Sequence, residues 1–330
     1  MKLITILLFA LISLPAAAGL IRHDTPDSSY TNYARDAAFN SVGLILGNAS
    51  DASYSCSGTV INKNWVLTAA HCANNAQALS FYLQDQNGWR FYEVNSWVTH
   101  DNYDEEDKYS GWDIGLLYIN TDLDVAPAQL YTGSEEWLTM STSVGFGYTG
   151  NGETGVEGID YLGRAGTNTI DDVWSIDGGA RILWSDFDHP TDPSYNVIEY
   201  SDMEYDDLAS ALEFMIAPGD SGGGLFIQEN GQNYLAGIHS FMMDYSGNGD
   251  FGYGDIYGST RVSSFIGWID NIINPYPVSE PSSIFLLLTA LAAVGWRRNK
   301  GSGINIINNI ESKKNPEFTP NRPCCTSYGG

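Results

Sequence analysis

Short apolar runs alternate with Gly-, Asn- and Ser-rich breaks along most of this chain. Val42-Gly43-Leu44-Ile45-Leu46, Gly58-Thr59-Val60-Ile61 and Trp65-Val66-Leu67-Thr68 come first. Phe81-Tyr82-Leu83, Phe91-Tyr92-Glu93-Val94 and Ile114-Gly115-Leu116-Leu117-Tyr118-Ile119 follow, and a second set runs from Ser143 to about Thr260. Runs this short, rich in β-branched and aromatic residues and bounded by turn formers, read as strands. Many of them with no long helical period predict an all-β sandwich or barrel architecture. The spacing changes at Val262, Phe265, Ile266, Ile269 and Ile273, which share one helical face and predict a helix closing the β domain. Tyr148 to Gly166 and Ser246 to Asp250 read as surface loops.

Two apolar stretches lie outside this pattern. Lys2, the run Leu3 to Leu14 and Ala16-Ala17-Ala18 follow the order of an export signal over 1–18. The mature chain then begins near Gly19 and works outside the cytoplasm. Residues 19–40 are polar and mixed and are expected as an extended leader before a main domain over 41–274. A Pro- and Ser-bearing linker, 275–283, precedes the second run, Ile284 to Trp296, which ends at Arg297-Arg298. That run, in a segment 284–298, is short for a span of about 20 residues, and its basic flank fits a stop on the cytoplasmic side. Residues 299–330 show no periodicity and are expected to be disordered.

Charge narrows the partners. Lys plus Arg total 15 against 40 Asp plus Glu, a formal net charge of -25, which argues against nucleic acid and anionic membrane surfaces. The acidic cluster Asp101, Asp104, Glu105, Glu106, Asp107 lacks calcium-loop spacing and reads as a solvated loop. An oxidising compartment permits a disulfide between Cys56 and Cys72, while Cys324-Cys325 sits in the polar tail.

The candidate chemistry centres on Gly219-Asp220-Ser221-Gly222-Gly223-Gly224. Serine needs a base to become a nucleophile, and flanking glycines let a tight loop aim two N–H groups at one point, where an oxyanion would form. The best candidate base is His71 in Leu67-Thr68-Ala69-Ala70-His71-Cys72, the one histidine that follows a strand beside a possible disulfide. The orienting acid is expected among apolar neighbours, as Asp113 is in Trp112-Asp113-Ile114-Gly115-Leu116-Leu117. A carboxylate there needs hydrogen bonds, and an imidazole N–H supplies one. Asp101 and Asp107 have polar neighbours and fit less well.

Thr-Ala-Ala-His-Cys, Asp-Ile-Gly-Leu-Leu and Gly-Asp-Ser-Gly-Gly, in that order, resemble the chymotrypsin-like (trypsin-like) serine endopeptidases over roughly Ser41 to Ile273. The resemblance implies two antiparallel six-stranded β-barrels with a C-terminal helix and no cofactor. It assigns Ser221 as nucleophile, His71 as general base and acid, Asp113 as orienting carboxylate, and the N–H groups of Gly219 and Ser221 as oxyanion hole, acting on a protein or peptide substrate. The chain departs from the family in three ways. No Ile-Val-Gly-Gly start is present, Ala217 stands where many members have cysteine, and Gly224 replaces a proline. In the family a freed N-terminal amine pairs with the aspartate matching Asp220; Ile21 is a candidate source after trimming. For specificity, the pocket floor falls at Met215, and the wall at Gly237 to Phe241 with Met242 where a glycine is usual. The two methionines suggest an apolar or shallow pocket. His239 falls where glutamate-preferring relatives carry a histidine, and Ser240 lies beside it.

Val278-Ser279-Glu280-Pro281-Ser282-Ser283, the apolar run and Arg297-Arg298 resemble the PEP-CTERM sorting signal of Gram-negative bacteria, with Ser279 in place of proline. That resemblance implies an exosortase as partner, surface delivery, and inner-membrane contact through the C-terminal segment, transient or as a plain anchor, while the N-terminal signal calls for signal peptidase. Two rivals to a protease are an inert homologue acting as a binding module and a structural matrix component.

Overall fold

In the computed structural model, residues 19–275 are described, apart from 51, 86–87, 177–178 and 199–208. The export-type segment 1–18, the linker beyond Pro275, the apolar run 284–298, the tail 299–330 and Cys324-Cys325 lie outside the described residues.

The predicted strands assemble into two seven-stranded antiparallel sheets. The first is ordered Gly88–Glu93, Ala78–Asp85, Val42–Asn48, Ser53–Asn62, Trp65–Thr68, Gly115–Tyr118, Ser96–Thr99. The second is ordered Arg164–Thr169, Met140–Gly145, Gly224–Glu229, Gln232–Met243, Ile256–Arg261, Gly179–Asp186, Asp172–Ile176. Each sheet thus has one strand more than the six per barrel that the resemblance implies. Alternation explains the strands: in Ala78–Asp85, Leu79, Phe81 and Leu83 are buried while their neighbours are not. Ile45, Val60, Leu67, Phe81 and Leu116 from the first sheet and Val144, Phe226 and Ile238 from the second share one apolar cluster. The chain closes with a 3-10 turn Val262–Phe265 and the helix Ile266–Ile273, whose Ile269 is buried in that cluster together with Phe265. This is the two-sheet architecture with a closing helix that the motifs implied. Among the described residues no helix is long and apolar enough to cross a membrane.

Two segments differ from expectation. Residues 19–40 are not an extended leader. They form the strand Gly19–Ile21, the helix Asp27–Tyr33 and the 3-10 turn Ala37–Phe39, with Leu20, Tyr30 and Phe39 buried. Fully buried Arg164 bonds Asp27 at 2.6 Å and Asp160 at 2.9 Å and so ties the helix to the second sheet. Gly19–Ile21 enters a third, four-stranded sheet, parallel to Tyr148–Asn151 and antiparallel to Phe214–Met215, with Leu20 opposite Met215. Ile21 lies two residues inside that strand, between Asn151 and Phe214. Tyr148 to Gly166 is likewise not a plain loop: Tyr148–Asn151 and Gly155–Ile159 pair as a hairpin. By contrast, Ser246 to Asp250 and Asp104 to Asp107 are exposed loops, as their composition predicts.

Candidate active site

Strand pairing brings His71 and Asp113 together. Trp65–Thr68 runs antiparallel to Gly115–Tyr118 with Thr68 opposite Gly115. His71, three residues beyond Thr68, and Asp113, two before Gly115, therefore leave the sheet at the same end. His71 occupies the 3-10 turn Ala70–Cys72, and the disulfide Cys56–Cys72 anchors that turn to the strand Ser53–Asn62. His71 Nδ1 lies 2.7 Å from Asp113 Oδ2, and the His71 backbone N–H donates to Asp113 Oδ1 at 2.9 Å. The carboxylate thus fixes both the ring and the main chain that carries it. Two residues of the second sheet hold the aspartate in turn: Ser240 Oγ donates to Oδ2 at 2.5 Å and Thr260 Oγ1 to the backbone carbonyl at 2.8 Å.

This contact sets the charge states. Burial works against ionised Asp113, but the His71 charge, the His71 hydrogen bonds and the Ser240 hydroxyl outweigh it and hold the carboxyl below its ordinary range. Burial likewise works against a charged His71, and the Asp113 charge and hydrogen bond overcome it and raise the imidazole pKa. An aspartate kept ionised beside a half-buried imidazole stabilises an imidazolium whenever that ring takes a proton.

The nucleophile candidate sits on the loop between Phe214–Met215 and Gly224–Glu229. Gly219 (φ +95°) and Gly222 (φ +82°) flank it in conformations that suit glycine. The loop docks against the first sheet: Ser57 N–H donates to Ser221 O at 2.7 Å, and Cys72 Sγ lies 3.5 Å from the same oxygen. Ser221 is therefore beside the turn that carries His71. Among the described residues Ser221 Oγ makes no hydrogen bond to His71, a contact that often tightens only with substrate bound. The N–H groups of Gly219 and Ser221 have no acceptor among the described residues. Neighbouring Asp220 is fully buried; its Oδ1 accepts from Gly147 N–H at 2.7 Å and its Oδ2 from Ala217 N–H at 2.8 Å. Burial pushes its carboxyl up to about 7, against the opposing pull of those two N–H groups and the Arg164 charge.

The predicted pocket residues divide. Met215 is buried in an apolar cluster with Leu20, Phe214, Ile216, Tyr253 and Tyr257, and Met242 packs against it. His239 is buried directly behind the nucleophile loop, accepting the Gly222 N–H through its backbone O at 2.8 Å. Its Nδ1 lies 3.1 Å from Ser259 Oγ, its Nε2 has no hydrogen-bond partner among the described residues, and burial lowers its pKa to about 3. Ser240, read from sequence as a pocket residue, gives its hydroxyl to Asp113 instead.

Sequence reasoning missed the support shell: Ser57, Thr260 and Asp255. Asp255 accepts Ser246 N–H and Gly252 N–H at 2.9 Å and folds the loop between them. No short motif marks any of the three. Among the described residues two clusters have metal-ligand spacing. Cys56 and Cys72 beside His71 are joined in the disulfide, so neither is a thiolate. In the other, His23, Glu153 and His189, His189 Nδ1 accepts two backbone N–H groups, which puts the ring proton on Nε2 and leaves that nitrogen no lone pair to offer.

Comparison with known proteins gives the family likeness. The family model described as Trypsin matches residues 34–163, a stretch that holds His71 and Asp113. The chain is 26% identical over 275 residues to rat (Rattus norvegicus) chymotrypsin-like elastase family member 1, covering 78% of this chain and 96% of that one. It is 27% identical over 238 residues to a chymotrypsin of Phaedon cochleariae, covering 68% of this chain and 75% of the other. An HL collagenase structure, 19% identical, superposes with a TM-score of 0.54 over 78% of this chain and 98% of its own. Fold, site geometry and relatives together support a trypsin-like serine protease domain of the chymotrypsin-type fold in this chain, and with it a serine endopeptidase.

Proposed function

We propose that the protein is an exported, surface-sorted endopeptidase that cuts peptide bonds through an acyl-enzyme on Ser221. His71 takes the serine proton and returns it to the leaving amine. Asp113 holds the ring with Nδ1–H facing the carboxylate and stabilises the imidazolium. The N–H groups of Gly219 and Ser221 receive the oxyanion. The observation that carries this reading is the 2.7 Å contact between His71 Nδ1 and buried Asp113, on a turn that abuts the Ser221 loop. The test is a fluorophosphonate probe on the processed protein. An adduct mapped to Ser221, absent in Ser221→Ala, is the expected result; folded protein with no adduct favours the inert homologue.

The finer parts of the reading rest on sequence and register. Removal of 1–18 by signal peptidase frees an amine at Gly19, not Ile21. The strand Gly19–Ile21 runs parallel to Tyr148–Asn151 with Gly19 opposite Thr149, two residues along the chain from Gly147, whose N–H bonds Asp220. A Gly19 ammonium would then add a cation toward Asp220, which makes no ion pair among the described residues, and trimming to Ile21 would remove the paired residues. The C-terminal run and its basic stop fit exosortase-type sorting in a Gram-negative envelope. Met215 and Met242 favour an uncharged, apolar residue before the cut. The buried Nε2 of His239, without a partner among the described residues, favours a second reading, an acidic residue there, and a peptide panel varying that position separates the two.

A further inference from the structure

Ser57 lies fully buried on the strand Ser53–Asn62, and all of its polar groups are engaged at or beside the nucleophile loop. Its N–H donates to Ser221 O at 2.7 Å. Its hydroxyl donates to Gly219 O at 2.9 Å and accepts the N–H of Phe146 at 3.0 Å. Its carbonyl accepts the Thr68 hydroxyl at 2.8 Å. One residue therefore grips the carbonyls of both Gly219 and Ser221, whose N–H groups have no acceptor among the described residues.

We propose that Ser57 is a positioning residue that holds the Gly219–Ser221 segment in its oxyanion-binding conformation. The inference rests on the protease reading above. Gly219 at φ +95° has little intrinsic preference for that conformation over others, so an external contact must fix it. The Ser57 hydroxyl is the side chain that bonds the Gly219 carbonyl, and its bond from Phe146 N–H fixes the hydroxyl in turn. A serine or threonine fits because the group must donate in one direction and accept from another; alanine does neither. Loss of the hydroxyl leaves a buried C=O and a buried N–H unpaired and releases the Gly219 peptide to turn. Ser57 touches neither substrate nor the reacting atoms; it acts through the loop.

The test compares Ser57→Ala and Ser57→Thr with the wild type, each normalised by active-site titration with a fluorophosphonate. The readouts are kcat, KM and the inhibition constant of a peptide boronic acid that mimics the tetrahedral adduct. Ser57→Ala is expected to lower kcat per titrated site by about 10–100-fold, less than removal of a direct oxyanion donor. KM stays within about twofold and boronate affinity falls with kcat; Ser57→Thr recovers most of both. A merely structural serine changes the amount of titratable enzyme and leaves kcat per site alone, and that result overturns the assignment. Where Ser57→Ala does not accumulate, Ser57→Cys, a weak donor, carries the same comparison with the same refuting outcome. Wild type that the probe does not label ends the protease reading; labelled wild type with an unimpaired Ser57→Ala ends only this inference.

Discussion

Substituting Gly222 by alanine tests whether the nucleophile loop is held by its packing or only by its dihedrals. Gly222 has φ +82°, and a Cβ there falls 2.1 Å from Thr68 Oγ1 and 2.2 Å from Ser57 O. Gly231 has nearly the same dihedral, φ +79°, with nothing within 4 Å of its Cβ position. The pair separates two costs. A left-handed alanine costs about 1–2 kcal/mol at either site. Overlap with the main chain of a central strand adds about 1–3 kcal/mol at Gly222 alone. Gly231→Ala is therefore expected to lose about 1–2 kcal/mol in urea unfolding and to keep its kcat. Gly222→Ala should lose about 2–5 kcal/mol and, because relief pushes Ser221 away from the His71 turn, should lose kcat per titrated site by two orders of magnitude or more. Equal stability losses at the two glycines, or a Gly222→Ala enzyme with native kcat, would refute the argument.

Two further outcomes follow from the charges. His71 is held above its ordinary value of 6.5 by Asp113, and catalysis needs the neutral ring, so kcat/KM should rise with pH through that raised pKa. Asp113→Asn should move the acid limb down and cost about 10⁴ in kcat, read from pH–rate profiles; an unmoved limb contradicts the pairing. For Asp220, a folded pKa near 7 against 3.8 means the folded chain binds the extra proton between those values. Stability of an N-terminally extended chain should therefore fall by about 4 kcal/mol as pH rises across that window. A chain starting at Gly19, made as Ser221→Ala to prevent self-digestion, should lose much less in urea titrations from pH 4 to 8. Parallel pH profiles for the two forms would dismiss the Gly19 ammonium.

The parts of the site that are local strings were legible from sequence. Thr68 to Cys72, Trp112 to Leu117 and Gly219 to Gly224 each carry a reactive side chain inside a recognisable backbone device. The parts that depend on distant pairing were not. Ser57 reads as an ordinary strand residue because its partners Gly219 and Phe146 are 162 and 89 positions away. Ser240 looked like a pocket wall until the turn before Gly115 brought Asp113 within reach. Residues 19–40 read as a leader because Leu20, Tyr30 and Phe39 follow no helical or strand period; Leu20 and Tyr30 are buried in the cluster around Phe214, and Phe39 in the main core. The hairpin at Tyr148–Asn151 and Gly155–Ile159 was hidden by its glycines, of which Gly150 and Gly155 are closely packed strand positions rather than slack.

The aspartate behind the imidazole has one more consequence. Its ring partner comes from one half of the molecule and its two hydroxyl clamps, Ser240 and Thr260, from the other. Neither half alone assembles a working relay. In the proposed mechanism, hydrolysis therefore depends on both halves being folded and docked together.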